Sequence, residues 1–206
     1  MYNSAARLVP GPHSAGLARF LNPAAVLAAA LAAGALARAV LLRLATGQDE
    51  ETLARALPAI KRNPQDPAPR LEAQIGMWQA IAPSASGVPT GASHGIGYAL
   101  GATFGVPHGH TSCVMLHAVL KWNAAVNGGR QKALSEAMGA PGRPASDLVR
   151  ELVAGLDQPT TLRAVGIKRE NLDEIARRAL SYQPVKLNPR PIKTADDVKE
   201  ILELAW

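Results

Sequence analysis

The chain has 206 residues, with 22 Lys and Arg against 16 Asp and Glu for a net charge of +6, and one cysteine. That length holds one substantial core, the lone cysteine excludes an internal disulfide framework and fits a reducing cytoplasm, and the scattered basic residues, without a Lys/Arg run or interleaved aromatics, speak against a nucleic-acid partner. Hydrophobic residues make up 48% of the chain and aromatics only 4%. The apolar share is mostly Ala and Leu, which lead the helix-propensity scale, so the composition predicts an all-α protein.

Residues 1–21 carry no clear period. Asn22–Pro23 reads as a helix start, Asn as N-cap and Pro at the first helical position. The Ala/Leu-rich helix it opens runs to about Thr46, with Gly47 as its stop. Arg38 and Arg43 interrupt this stretch and alanine gives little transfer energy. A membrane span, which needs about 20 predominantly apolar residues, is therefore not expected. Asp49, Glu50 and Glu51 suit the first turn of a second helix ending near Arg62, and Pro58 falls inside it as a kink or division. Asn63–Pro67 is a loop, because each Pro biases its predecessor away from the helical region.

Leu71, Ile75, Trp78 and Ile81 recur at helical spacing and predict a helix over 71–81, followed by a connection over 83–91. Helices are then expected at 94–104 and at 107–127, the latter stopped by Gly128-Gly129. More are expected at 130–138, 146–156, 160–165, 170–181 and 195–204. Thr194 with Asp197 resembles a capping box opening the last of them. No internal repeat and no long period-2 strand is visible.

The chemistry sits at residues 93–110, Ser-His-Gly-Ile-Gly-Tyr-Ala-Leu-Gly-Ala-Thr-Phe-Gly-Val-Pro-His-Gly-His. His108 follows His94 by fourteen positions, too far for ligands on one helical turn. Gly105-Val106-Pro107 breaks the helix, and a hairpin can return the second imidazole toward the first. Gly95, Gly97, Gly101, Ala102 and Gly105 are small enough to let two backbones approach closely. Imidazole pairs suit Zn, Fe or Ni. Two ligands alone do not hold a metal, since structural sites close with four and catalytic ones keep an open position beside three. On the residues alone, metal binding and ordinary packing both stay open for the pair. His110 reads as a substrate contact or a polar neighbour, His117 as a packed or surface histidine, and Cys113 as a buried thiol.

Residues 93–113 resemble the signature of the iron-containing alcohol dehydrogenase family, in the group that includes maleylacetate reductases. Two metal-ligand histidines stand there at this spacing, with glycines between them and Pro before the second. Residues 53–61, 63–70, Gln74-Ile75-Gly76-Met77-Trp78, 114–123 and the tail from Asn188-Pro189-Arg190-Pro191-Ile192 to Trp206 are also similar. The resemblance spans 53–206 and concerns the helical C-terminal domain of the family alone. It implies a helical bundle like the C-terminal domain of the dehydroquinate synthase-like fold.

By that resemblance, residues 51–206 are a metal-binding domain and residues 1–50 an atypical N-terminal segment. His94 and His108 are ligands of Fe(2+) or Zn(2+), and NAD(P)H is the cofactor. Tyr98 stands where many members carry a histidine near the nicotinamide. Tyr98 and His110 are therefore the catalytic candidates, with plain packing of Tyr98 left open. The implied function is hydride transfer between nicotinamide and a metal-polarised small-molecule carbonyl or alcohol, in the cytoplasm, with a homo-oligomer compatible with the sequence. The family's dinucleotide-binding unit of strand, glycine loop and helix, and its further ligand pair Asp-x-x-x-His, find no match in the 206 residues. The expectation is thus a truncated member, with a non-catalytic helical remnant that binds metal and cofactor weakly or not at all as the alternative.

Overall fold

The structure is a computed structural model that describes residues 48–206 except Ser86; the helix expected over 22–46 and the irregular stretch before it lie outside the described residues. Eight α-helices follow in order: α1 (Gln48–Arg62), α2 (Pro67–Ala85), α3 (Ala92–Phe104), α4 (His108–Ala137), α5 (Ala145–Gly155), α6 (Leu172–Ala179), α7 (Gln183–Lys186) and α8 (Ala195–Leu204). Two 3₁₀ turns, Arg163–Val165 and Arg169–Asn171, lie between α5 and α6. The described residues contain no strand, as the Ala/Leu-rich composition predicts.

Helix α4 organises the rest. Every residue from Thr111 to Leu120 is buried, the mark of a helix packed on all sides. One side of it, Val114, Met115, Ala118, Val119 and Trp122, shares a core with Ile96 and Leu100 of α3, Ile175 of α6 and Ile201 of α8. The other, Cys113, Leu116, Leu120 and Leu134, packs against Leu53 and Leu57 of α1 and Val149 and Val153 of α5. The side chains three and four positions apart that define each face are those a 3.6-residue period stacks together.

Several boundaries differ from the sequence expectation. The helices expected at 107–127 and 130–138 form one element, α4, ending at Ala137, with a kink at Asn127 (φ −128, ψ 23) just before Gly128-Gly129. The Gln131 amide spans this kink, donating to Leu120 O at 2.6 Å and to Asn127 Oδ1 at 2.8 Å. Helix α2 starts four residues before Leu71, because Asp66 Oδ1 accepts the Ala68 N–H at 3.0 Å and Pro67 takes the first helical position. The stretch 160–165 contains only a 3₁₀ turn, closed by Gly166 at φ +81. The segment expected over 170–181 is a 3₁₀ turn followed by α6, and α7 matches no helix expected from the sequence. The capping box of α8 forms as read, Thr194 Oγ1 accepting the Asp197 N–H at 3.2 Å.

The periodic residues of α2 face outward. Leu71 is 59% exposed, Ile75 48%, Trp78 77% and Ile81 43%. The spacing that predicts the helix does not predict which way its apolar stripe points.

Candidate functional site

The hairpin of α3 and α4 carries the residues singled out by the sequence. The α3 helix ends in a left-handed Gly105 at φ +67, whose N–H bonds to Gly101 O, while Val106 N–H reaches back to Leu100 O. This is the glycine-terminated closure that satisfies the last carbonyls of a helix. Pro107 then caps α4. His94 lies in the first turn of α3, half-buried, with its N–H on Gly91 O at 3.0 Å. His108 is the first residue of α4 and is exposed. His110 shares that turn, half-buried, its N–H bonded to Pro107 O at 2.9 Å.

The small residues divide their roles. Gly97 does admit α4: a Cβ there would sit 2.9 Å from Thr111 Oγ1. The same hydroxyl donates to His108 O at 2.7 Å, which ties the His108 turn to the contact. Gly95 admits a different partner, since its Cβ would meet Val185 Cγ2 at 2.5 Å and Val185 N at 2.9 Å on α7. Gly101 is in ordinary contact with Val106 O, Gly105 faces open space and Ala102 is exposed. The close helix–helix approach therefore rests on Gly97 rather than on all five residues.

Tyr98 follows His94 by one turn on the same side of α3 and is 40% exposed. Its ring meets that of Tyr182 edge-on, centroids 5.5 Å apart at 69°, a favoured aromatic geometry. Tyr182 caps α7, and the seating of α7 on Gly95 brings the two rings together. The sequence offers no signal for Tyr182, because its place depends on a four-residue helix without a periodic pattern.

Two imidazoles on one hairpin are donors of the type Fe and Zn accept. Among the described residues no group of three or more His, Cys, Asp or Glu could hold a metal ion. The donor set present therefore fits part of a metal site and does not close one.

His117 takes the packed reading. It is 6% exposed, and its Nε2 donates to Thr160 O at 2.9 Å. Burial, partly offset by that carbonyl, holds its pKa below the ordinary 6.5. Burial pushes the Cys113 thiol up to about 11, so it stays protonated and is no nucleophile.

An open groove of about 530 Å³ between α4 and α5 is lined by Lys121, Lys132, Ser135, Arg143 and Asp147, with no contribution from His94, Tyr98, His108 or His110. Two of its polar groups are engaged elsewhere: Ser135 Oγ donates to Arg143 O at 2.7 Å, and Arg143 pairs with Glu151. No described helix is long and apolar enough to cross a membrane.

Comparison with known proteins agrees with this arrangement. Residues 47–206 match the model of the Fe-containing alcohol dehydrogenase family, C-terminal. A maleylacetate reductase of Sphingobium indicum is 34% identical over 154 residues, covering 74% of this chain and 42% of that protein. A lactaldehyde reductase of Escherichia coli K12 is 30% identical over 130 residues, covering 59% of this chain and 34% of its own length. The crystal structure of a putative alcohol dehydrogenase from Ralstonia eutropha JMP134 superposes with a TM-score of 0.73 at 27% identity, over 88% of this chain and 51% of that one. The chain belongs to the iron-containing alcohol dehydrogenase family and has the all-helical fold of its C-terminal domain. It spans less than half the length of the curated relatives it matches.

Proposed function

We propose that residues 51–206 form the metal-binding domain of an NAD(P)-linked oxidoreductase that moves hydride between nicotinamide and a small carbonyl or alcohol. The observation that carries this reading is the α3–α4 hairpin inside the family match, with His94 and His108 each in the first turn of its helix. In this reading the two imidazoles are ligands of Fe(2+) or Zn(2+). The reading requires one or two further donors from the chain, since a site needs three or four. A divalent ion supplies Lewis-acid polarisation of a carbonyl oxygen, and the nicotinamide carries the hydride.

The chain's own contribution is placement. Thr111 holds the His108 turn through its bond to His108 O, and Gly97 keeps α3 against it. Tyr98, exposed on the side of α3 that bears His94, offers a phenolic O–H to the substrate oxygen, with Tyr182 bracing its ring. His110 borders the same turn as His108 and supplies a second polar contact.

Metal content of the purified chain tests the reading, measured on wild type, His94→Ala and His108→Ala. Stoichiometric Fe or Zn in wild type, lost in both variants, is the expected result. A metal-free wild type, or metal kept in both variants, would overturn it. NADH oxidation with maleylacetate or simple aldehydes then reports whether the chain turns over alone.

A further inference from the structure

The first turn of α3 is fastened by a buried amide pair. Asn188, after α7, and Asn123, on α4, are 6% and 4% exposed and exchange side-chain hydrogen bonds of 2.7 and 3.1 Å. Asn188 Oδ1 also accepts the Ala92 N–H at 3.4 Å, and its Nδ2 donates to Arg190 O at 2.7 Å. Asn123 Oδ1 accepts the Arg190 N–H at 3.4 Å. A side-chain amide offers two N–H donors and two acceptor positions. These bonds use all four on Asn188 and both acceptors on Asn123, which leaves one Asn123 N–H over.

Beside the pair, Ser93 is 3% exposed and its Oγ has no hydrogen-bond partner among the described residues. Ser93, Asn123, Asn127 and Asn188 line a cavity of about 20 Å³. Asn127 Oδ1 accepts one bond, from Gln131, and keeps one acceptor position. Among the residues that line the space, the Ser93 hydroxyl and one Asn123 N–H are left as donors, and Asn127 Oδ1 keeps an acceptor position. A cavity of roughly 10–15 Å³ admits one water, and a buried water makes two to four hydrogen bonds. Phosphate or an organic ligand exceeds this volume, and the lining has no carboxylate for a cation.

We propose that this cavity binds a single ordered water, which accepts the Ser93 hydroxyl and the remaining Asn123 N–H and donates to Asn127 Oδ1. The water joins the first turn of α3, and with it His94, to the kink of α4. The inference is independent of whether His94 holds a metal.

Water–protein NOEs on the wild-type chain test this without any substitution, and a crystal structure showing ordered solvent locates the molecule. A long-lived water with cross-peaks to the Asn123 side-chain amide, and density within hydrogen-bond distance of Ser93 Oγ, is the expected result. Ser93→Ala is expected to lose those cross-peaks and melt about 2–4 °C lower, the shift typical for a chain of this size losing one such interaction. A dry cavity with Ser93 Oγ turned to a main-chain carbonyl, no slow water in wild type, or a Ser93→Ala chain that melts at or above wild type would each sink the proposal.

Discussion

Asn123 and Asn188 lie 65 residues apart and are joined by two side-chain hydrogen bonds, with Asn188 also holding the Ala92 N–H at the start of α3. Three segments distant in sequence thus meet at one buried polar point. Truncating Asn188 leaves the Asn123 amide and the Ala92 N–H without these partners in a buried environment. Each buried group so orphaned costs about 1–3 kcal/mol. Asn188→Ala should therefore destabilise the chain strongly in urea unfolding. A double-mutant cycle with Asn123→Ala should show coupling of about 0.5–3 kcal/mol; additive effects would mean that the pair does not act as a unit.

Gly95 and Gly97 predict different outcomes for one substitution. Alanine in place of glycine within a helix gains about 1 kcal/mol. At Gly95 the new methyl meets Val185 Cγ2 and the backbone N of Val185, and backbone cannot rotate away. Overpacking of that kind costs about 1–3 kcal/mol, so Gly95→Ala should melt below wild type. At Gly97 the obstacles are Thr111 Oγ1 at 2.9 Å and Thr111 Cβ at 3.2 Å. The hydroxyl can rotate away at the expense of its bond to His108 O, and the Cβ contact needs a shift of only a few tenths of an ångström. Gly97→Ala should melt close to wild type. Thermal unfolding of both variants checks the order.

The class of fold was legible because Ala and Leu dominate, and the hairpin because glycine and proline punctuate it. What escaped is set by tertiary contacts. Gly128-Gly129 carries the local signature of a stop, and the chain does leave helical geometry beside it at Asn127, but the helix resumes at once, with Gln131 bridging back to Leu120 O across the kink. Tyr182 and Asn188 flank a helix of four residues, too short for a period, and matter only through partners far along the chain. His94 and His108 were legible as a pair. Further donors for a metal site were not, because the sequence has no Asp-x-x-x-His pattern and no group of three or more potential ligands forms among the described residues.

Trp78 gives a contrasting case. It is 77% exposed in the middle of the outward stripe of α2. Substitutions at such surface positions usually change stability by less than about 0.5 kcal/mol. Trp78→Gln should leave the urea midpoint unchanged and remove the tryptophan most accessible to acrylamide. A clear loss of stability would show that the ring packs against something in solution.

The start of α8 rests on Thr194 and Asp197. The Asp197 carboxylate accepts the Lys193 N–H at 2.9 Å, the Thr194 N–H at 2.8 Å and the Thr194 hydroxyl at 3.0 Å. The two backbone donors, Lys193 first, hold its pKa below the ordinary 3.8. Val198, Ile201 and Leu202 behind this cap are buried, so fraying would open the core. Thr194→Ala is expected to cost about 1 kcal/mol by denaturant unfolding. The contribution of Asp197 is present above the unfolded pKa and disappears as acid protonates it, so Asp197→Asn should matter at neutral pH and little in strong acid.

His117 governs the response to milder acid. Burial keeps its pKa below the ordinary 6.5, against the smaller opposing pull of Thr160 O. Below that pH the unfolded chain binds a proton which the folded chain refuses, so the unfolded state gains as the pH falls. The stability contributed by neutral His117 is complete above the unfolded pKa and is lost as pH drops toward the folded one. One proton of difference gives a slope of at most about 1.4 kcal/mol per pH unit. Urea unfolding at a series of pH values from neutral downward should therefore show wild type weakening more steeply than His117→Gln, whose amide keeps an N–H for Thr160 O but does not titrate. Parallel profiles for the two chains would mean that His117 protonates in place without disturbing the fold.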